Sequence, residues 1–137
     1  MRLWHVDLIH VLPREQLVAQ WRELSAIAGK IKTTGTPNHI LVNFVLNYDY
    51  DHFISYAAAV RKEMNSRGYK TMNSVWDKIA SLKPDWNLIS NNLIYKDKMN
   101  YDYMTVCFWN LWEKYSCGGI SKENFDKIKK IYDEYGY

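Results

Sequence analysis

The residues best suited to chemistry in this sequence are an adjacent base and acid, Arg22 and Glu23. A glutamate can move protons or stabilise a developing positive charge, and an arginine offers a fork of donors that suits a phosphate. The common signatures of phosphate-loop, dinucleotide, zinc-protease, serine-hydrolase and dithiol sites are absent, namely GxxxxGK[ST], GxGxxG, HExxH, GxSxG and CxxC. The candidate reactive groups that remain are a carboxylate, several arginines and amines.

A further reactive group is the α-amine of Met1. An α-amine has a pKa of about 7.7 to 8.0, so an appreciable fraction is neutral and nucleophilic at pH 7, unlike a lysine with a pKa of about 10.4. Metal-ligand spacing is absent from the histidines and cysteines, which are His5, His10, His39, His52, Cys107 and Cys117. We therefore expect no metal and no cofactor, and an ordered N-terminus beside Glu23 would supply a nucleophile.

The element that must position Glu23 is a helix predicted over Pro13–Gly29. Apolar residues recur at helical spacing and define its buried face, namely Leu17, Trp21, Leu24 and Ala28. A polar stripe on its flank consists of Gln16, Gln20 and Glu23. Pro13 suits the first turn of this helix and Gly29 is a natural end, so Lys30 and Lys32 are expected in an exposed loop over residues 30–38. That loop either touches phosphates or is simply solvated.

The rest of the chain reads as helical. Residues 39–48 have strand propensity, but no second convincing strand exists to pair with them, which favours a short helical turn or an extended core segment. A helix capped by Asp51 is expected to end at Gly68, and a short helix follows from Asn73 or Ser74 to just before Pro84. After an irregular connection over 85–100, helices are expected over 102–116 and from a cap at Ser121. The sequence thus predicts one compact all-α domain of about five helices over residues 1–137.

Composition sets broad limits on function. Eighteen Lys and Arg against fifteen Asp and Glu give a net charge of +3, which permits a polyanionic partner without requiring one. Six Trp and eleven Tyr either fill the core or stack on bases, and the core is expected for most of them. No segment has the length and apolarity of a membrane span or a secretory signal, and the cysteine usage fits a reduced protein, so a cytoplasmic location is expected.

Three separated segments carry a resemblance to a known family. The opening MRLWH, the run LPREQLVAQWREL, and NHILVNF with KEMNSRGY together resemble the pyrimidine-dimer DNA glycosylases of the phage endonuclease V type, over about residues 1–70. The resemblance implies a compact all-α domain. It also implies a metal-independent reaction in which the N-terminal amine attacks the sugar C1′ of a damaged nucleotide, forms an imine as the base leaves, and cuts the strand by β-elimination.

The resemblance also implies roles for particular residues. The amine would belong to Met1, which the large Arg2 side chain would protect from ordinary removal, and Glu23 matches the family's catalytic glutamate. Arg2 and Arg22 match arginines placed against DNA phosphates, and His39 matches a histidine of a family motif. The predicted DNA-binding set is completed by Gln16, Lys30 and Lys32.

The leading interpretation is therefore a monomeric DNA glycosylase with abasic-site lyase activity that acts on damaged double-stranded DNA. Two alternatives stay open because Met1 would be retained and because Gln16 and Ala26 stand where the phage enzyme has a histidine and an arginine. One is a helical DNA-binding or protein-interaction domain that kept the scaffold and lost the chemistry. The other is a lyase that acts on abasic sites or another lesion but not on pyrimidine dimers.

Overall fold

Five α-helices and three short 3₁₀ helices account for all the regular structure in the computed structural model, which describes residues 1–135. The α-helices are α1 (Arg14–Thr34), α2 (Tyr50–Ser66), α3 (Asn73–Ala80), α4 (Tyr101–Ser116) and α5 (Lys122–Glu134). The 3₁₀ helices span Val6–Val11, Asn43–Asn47 and Asn91–Leu93. The prediction of an all-α fold with about five helices is confirmed.

The core is one cluster of buried apolar side chains to which all five α-helices contribute. Helix α1 faces it with the residues that the spacing predicted, Leu17, Trp21, Leu24 and Ala28. The N-terminal segment is also buried, with Leu3 and Leu8 fully excluded from solvent. An extended chain over residues 1–5 followed by a 3₁₀ helix therefore runs through the body of the protein.

The predicted end of α1 at Gly29 is wrong, because the helix continues to Thr34. A glycine inside a helix costs only about 1 kcal/mol relative to alanine, and Ile31 beyond it still packs against the core. The helix ends instead at Gly35, whose φ of 80° is left-handed and whose N–H bonds the Ile31 carbonyl at 2.8 Å. Lys30 and Lys32 consequently lie on the helix and not in a loop.

The predicted cap of α2 is also wrong by two residues. The Asp49 side chain, and not that of Asp51, caps the helix by accepting the backbone N–H of Asp51 at 2.9 Å. Asp51 instead contributes to an ion pair with Lys83. The end of α2 agrees with expectation, since it lies at Ser66 and Gly68 follows with a φ of 81°.

The remaining elements follow the predictions. Residues 39–48 contain the 3₁₀ helix Asn43–Asn47 and no strand, and the connection over 85–100 contains one 3₁₀ turn, Asn91–Leu93. Ser121 caps α5 by accepting the N–H of Asn124 at 3.2 Å. Within residues 1–135, no helix combines the length and apolarity needed to cross a membrane.

Candidate active site

A cavity of about 630 Å³ lies between the N-terminal segment, α1 and α4. It brings together five of the residues predicted from the sequence, Met1, Arg2, Gln16, Arg22 and Glu23. Met1 and Arg2 reach it from the N-terminal segment, whereas Gln16, Arg22 and Glu23 come from α1, with Gln16 about two turns before the other two. Two residues of the polar flank predicted for α1, Gln16 and Glu23, therefore line the cavity, whereas the third, Gln20, is buried.

The electrostatics of the cavity centre on Glu23. Burial raises the pKa of this carboxyl, and the positive charges of the N-terminal amine, Arg22 and His39 oppose that rise in decreasing order. The carboxylate is therefore surrounded by cationic groups in a partly desolvated place. Such a group stabilises a nearby positive charge or accepts a proton from one.

Glu23 and the N-terminus are brought together by Gln20, one turn earlier on α1. The Gln20 side chain is fully buried, its Oε1 accepts the backbone N–H of Trp4 at 2.8 Å, and its Nε2 donates to the Arg2 carbonyl at 3.0 Å. These two bonds fix the extended segment against the helix. The sequence placed Gln20 in the polar stripe with Glu23 but gave no indication that its partner would be the N-terminal backbone.

Gln16 has a free acceptor at this site. Its side-chain Oε1 is buried and has no hydrogen-bond partner within the described part of the chain, although the residue lines the cavity. A buried polar atom without a partner is costly in a folded protein unless something else satisfies it. A donor on a bound molecule would satisfy this oxygen.

Two further cationic residues that the sequence did not indicate, Arg14 and Lys114, also line the cavity. Arg14 is the first residue of α1 and is exposed, and no motif in the sequence distinguishes it from other surface arginines. Lys114 comes from α4, about a hundred residues along the chain. No local pattern relates it to Met1, so only the packing of α4 beside the N-terminal segment shows that it belongs to the site.

The other predicted DNA-binding residues lie outside the cavity lining. His39 is close enough for its positive charge to oppose the rise that burial causes in the pKa of Glu23. Lys30 follows Glu23 by two helical turns, which places it on the same side of α1 at about 10 Å along the axis. Lys32 is half a turn further around the helix and points to the opposite side. Helix geometry thus puts Lys30 on the side of α1 that carries Glu23 and Lys32 on the opposite side, whereas His39 is related to the site through its charge.

The metal-ligating residue types are dispersed. Across residues 1–135, no group of three or more His, Cys, Asp or Glu side chains has an arrangement that could hold a metal ion. Cys107 is buried in α4, Cys117 is exposed, and both are free thiols.

Comparison with known proteins adds a family match. A sequence model described as pyrimidine dimer DNA glycosylase matches residues 1–77, which is more than half of the 137 residues. The matched part includes every residue that lines the cavity except Lys114, and so all five of the predicted site residues found there. Neither the curated proteins nor the solved structures gave a match.

Proposed function

The chain belongs to the pyrimidine dimer DNA glycosylase family, and from this premise we propose that it excises pyrimidine dimers from duplex DNA and cleaves the resulting abasic site as a lyase. Membership itself indicates a DNA glycosylase that binds damaged DNA. The observation that carries the finer proposal is that Met1 and Glu23 line one cavity and that the charge of the N-terminal amine acts on the Glu23 carboxyl.

The proposed reaction begins at the neutral amine of Met1. Its nitrogen forms a bond to the sugar C1′ while the bond from C1′ to the base breaks, and the electron pair of that bond leaves with the base. The nitrogen then loses a proton, the ring oxygen gains one as the bond from C1′ to that oxygen breaks and the sugar opens, and a protonated imine results. Removal of a proton from C2′ expels the 3′ phosphate and cuts the strand.

Glu23 is the group proposed to support these steps. As a carboxylate it stabilises the positive charge that develops at the sugar and on the iminium nitrogen. Because it lines the same cavity as the Met1 amine, it is also proposed to accept and return the protons that move, and its raised pKa favours such exchange. No step in this scheme calls on a metal or a cofactor.

The cationic residues around the cavity are proposed to hold the DNA backbone. Arg2, Arg14, Arg22 and Lys114 surround the space beside the amine, and Lys30 and His39 extend the positive surface along α1. The free acceptor of Gln16 is proposed to bind a donor on the damaged nucleotide. We propose that the protein acts as a monomer in the cytoplasm, on a lesion whose poor stacking lowers the energy needed to extrude a nucleotide.

The test is reduction of the proposed imine by borohydride, without added metal, on duplex DNA that carries either one cyclobutane pyrimidine dimer or one abasic site. We expect a covalent adduct on both substrates, located at the Met1 nitrogen by mass spectrometry of the peptides. Trapping only on the abasic site would indicate a lyase of a different lesion range. No adduct on either substrate from folded protein would indicate a binding domain.

Lys114 makes a variant control necessary, because it is a second primary amine at the same cavity. Lys114→Arg keeps the charge and removes that amine, so the adduct should persist in this variant. Protein acetylated at the N-terminus should give no adduct. The opposite pattern would assign the nucleophile to Lys114 and contradict the proposal for Met1.

A further inference from the structure

The backbone of residues 2–4 is held by side chains from three different helices. Gln20 of α1 bonds the Arg2 carbonyl and the Trp4 N–H, as described above. Tyr56 of α2 donates its hydroxyl to the Trp4 carbonyl at 2.6 Å, and Tyr103 of α4 donates to the Leu3 carbonyl. The bonded backbone groups are the carbonyls of Arg2, Leu3 and Trp4 and the N–H of Trp4. We call Gln20, Tyr56 and Tyr103 the N-terminal clamp.

The clamp is buried, and two of its members contact each other. Gln20 and Tyr56 are fully buried, and the Tyr56 hydroxyl also lies 2.9 Å from Gln20 Oε1. The amide of Gln20 uses its oxygen for the Trp4 N–H and its nitrogen for the Arg2 carbonyl, which leaves one orientation of the side chain. The single hydroxyl proton of Tyr56 is shared between the Trp4 carbonyl and Gln20 Oε1. A buried network in which each member has its partners defines a unique arrangement of the chain.

The clamp is directly linked to Glu23 through α1. Gln20 precedes Glu23 by three residues, so the two side chains project from the same flank of the helix about 4.5 Å apart along its axis. One helix therefore carries both Gln20, which bonds the N-terminal segment, and Glu23, whose pKa is raised by burial and lowered by the charge of the N-terminal amine. Movement of the segment relative to Gln20 is also movement of the amine relative to Glu23.

We propose that Gln20 and Tyr56 are positioning residues for imine formation, which hold the N-terminal segment so that the Met1 amine faces Glu23 across the cavity. The inference rests on the proposed function. Met1 itself is half exposed, so its own side chain contributes little to holding the amine. A displacement of about 1 Å at a reacting atom lowers a rate by about 100-fold, and the clamp provides the fixed distance that this chemistry needs.

The first experiment compares two tyrosines of α2. Tyr56→Phe removes the clamp hydroxyl, and Tyr50→Phe is the matched control because the Tyr50 hydroxyl donates to the Ile79 carbonyl at 2.9 Å, away from the N-terminus. For each variant we would measure the single-turnover rate of borohydride trapping on abasic DNA. We would also measure the affinity for duplex DNA with a tetrahydrofuran site, which cannot form an imine.

The expected result is that Tyr56→Phe slows trapping by about 10-fold or more while its affinity for tetrahydrofuran DNA is unchanged. Tyr50→Phe should trap at the rate of the unsubstituted protein. Both proteins are assayed well below their melting temperatures, so that a loss of stability alone does not change the rate. Equal trapping rates in Tyr56→Phe and the unsubstituted protein would overturn the inference.

The second experiment uses the pH profile of Gln20 variants. Gln20→Glu in its protonated form retains one donor and one acceptor, whereas the ionised form has no donor for the Arg2 carbonyl. Relative to the unsubstituted protein at each pH, trapping by Gln20→Glu should recover as the pH falls. Gln20→Met has neither donor nor acceptor, so its relative rate should stay low at every pH.

The outcomes separate the inference from the function it rests on. Normal trapping by the unsubstituted protein, together with a flat relative profile for Gln20→Glu, would overturn the positioning role and leave the lyase activity in place. Absence of trapping by the unsubstituted protein, when it is folded and has a free N-terminal amine, would overturn the proposed function and the positioning role with it.

Discussion

Met1 and Glu23 face a common cavity, and they are coupled electrostatically: burial raises the pKa of Glu23, and the charge of the Met1 amine is the strongest influence that opposes this rise. The amine and the carboxylate come from parts of the chain about twenty residues apart. Gln20 of α1 bonds the backbone of the N-terminal segment directly, and Tyr56 of α2 and Tyr103 of α4 bond the same segment from other sides. The coupling gives the proposed mechanism its most direct tests.

Replacement of Glu23 by glutamine tests the chemical role. Glu23→Gln keeps the shape of the side chain and removes its charge, so the developing positive charge at the sugar loses its stabilising partner. We expect strand cleavage at an abasic site to fall by about 100-fold or more, with an intact helical circular dichroism spectrum. Glu123→Gln, on the exposed first turn of α5, is the control and should cleave normally. Unchanged cleavage by Glu23→Gln would refute the role.

Glu23→Gln is expected to lower activity but to raise the stability of the fold, by an amount that depends on pH. Because the pKa of Glu23 is raised above its usual 4.5, the folded state favours the protonated carboxyl, and this contribution is lost as the pH rises through the raised value. Glutamine does not titrate. Glu23→Gln should therefore melt higher than the unsubstituted protein at pH 7, by about 1–3 °C, and the gain should shrink at pH 4. A gain that is larger at pH 4 would contradict this assignment.

Lys114, which lies beyond the residues matched by the family model, is predicted to contact a DNA phosphate. Lys114→Ala should weaken binding to undamaged duplex DNA and reduce the slope of log affinity against log salt by about 0.9, the value for one lost phosphate contact. Lys127→Ala removes the same charge from the exposed surface of α5, away from the cavity, and serves as the matched control. Equal effects of the two substitutions would indicate a general charge effect instead of a contact.

Local spacing predicted the helices well because each helix buries one face, as α1 does with Leu17 and Leu24. The boundaries of the helices were harder to predict. Gly29 predicts a helix end because glycine is a poor helix former, but core contacts on both sides of it outweigh that cost. Asp49 and Asp51 are equally good caps in sequence, and only the backbone geometry selects Asp49.

The candidate site was predictable to the extent that it lies on α1 and the N-terminal segment. The resemblance identified Met1, Arg22 and Glu23, and the structure places all three at one cavity. Lys114 and Tyr56 could not be predicted, since their relation to the N-terminus depends on long-range packing between α-helices. Periodicity shows which face of a helix is buried, but it does not show which residues that face will meet.

His5 is predicted to make the protein sensitive to acid. Its ring is buried, its Nδ1 accepts the N–H of Asp7 at 3.1 Å, and its Nε2 lies 3.1 Å from the Tyr135 hydroxyl. Burial lowers the pKa of His5 below its usual 6.5, although the Asp7 carboxylate partly opposes this. The folded state thus favours the neutral ring, and this stability is present above pH 6.5 and declines as the pH falls.

The matched substitution is His5→Asn, which keeps a short-range acceptor for Asp7 and does not titrate. Between pH 6.5 and 5, the free energy of unfolding of the unsubstituted protein should fall more steeply than that of His5→Asn, with a difference of at most about 1.4 kcal/mol per pH unit. Urea denaturation at several pH values measures both slopes. Parallel slopes would show that His5 does not titrate differently in the folded and unfolded states.

Gly29 offers a stabilising substitution, since it lies inside α1 and its neighbour across the helix interface is flexible. A Cβ at this position would lie 3.0 Å from Lys78 Nζ and 3.1 Å from its Cε. The Lys78 ammonium makes a long bond of 3.3 Å to Ser25 Oγ at the surface, so the end of this side chain can move away at small cost. The helix gains because alanine is favoured over glycine in its interior by about 1 kcal/mol.

Gly29→Ala should therefore raise the free energy of unfolding by about 0.5 kcal/mol, which is the helix gain less the cost of displacing Lys78. In a Lys78→Ala background the displaced atoms are absent, so the same substitution should yield the full gain of about 1 kcal/mol. Urea denaturation of the four proteins of this cycle measures both values. If Gly29→Ala destabilises the protein even without the Lys78 side chain, then glycine is needed there for the backbone packing of α1 on α3, and the flexible lysine is not what limits the site.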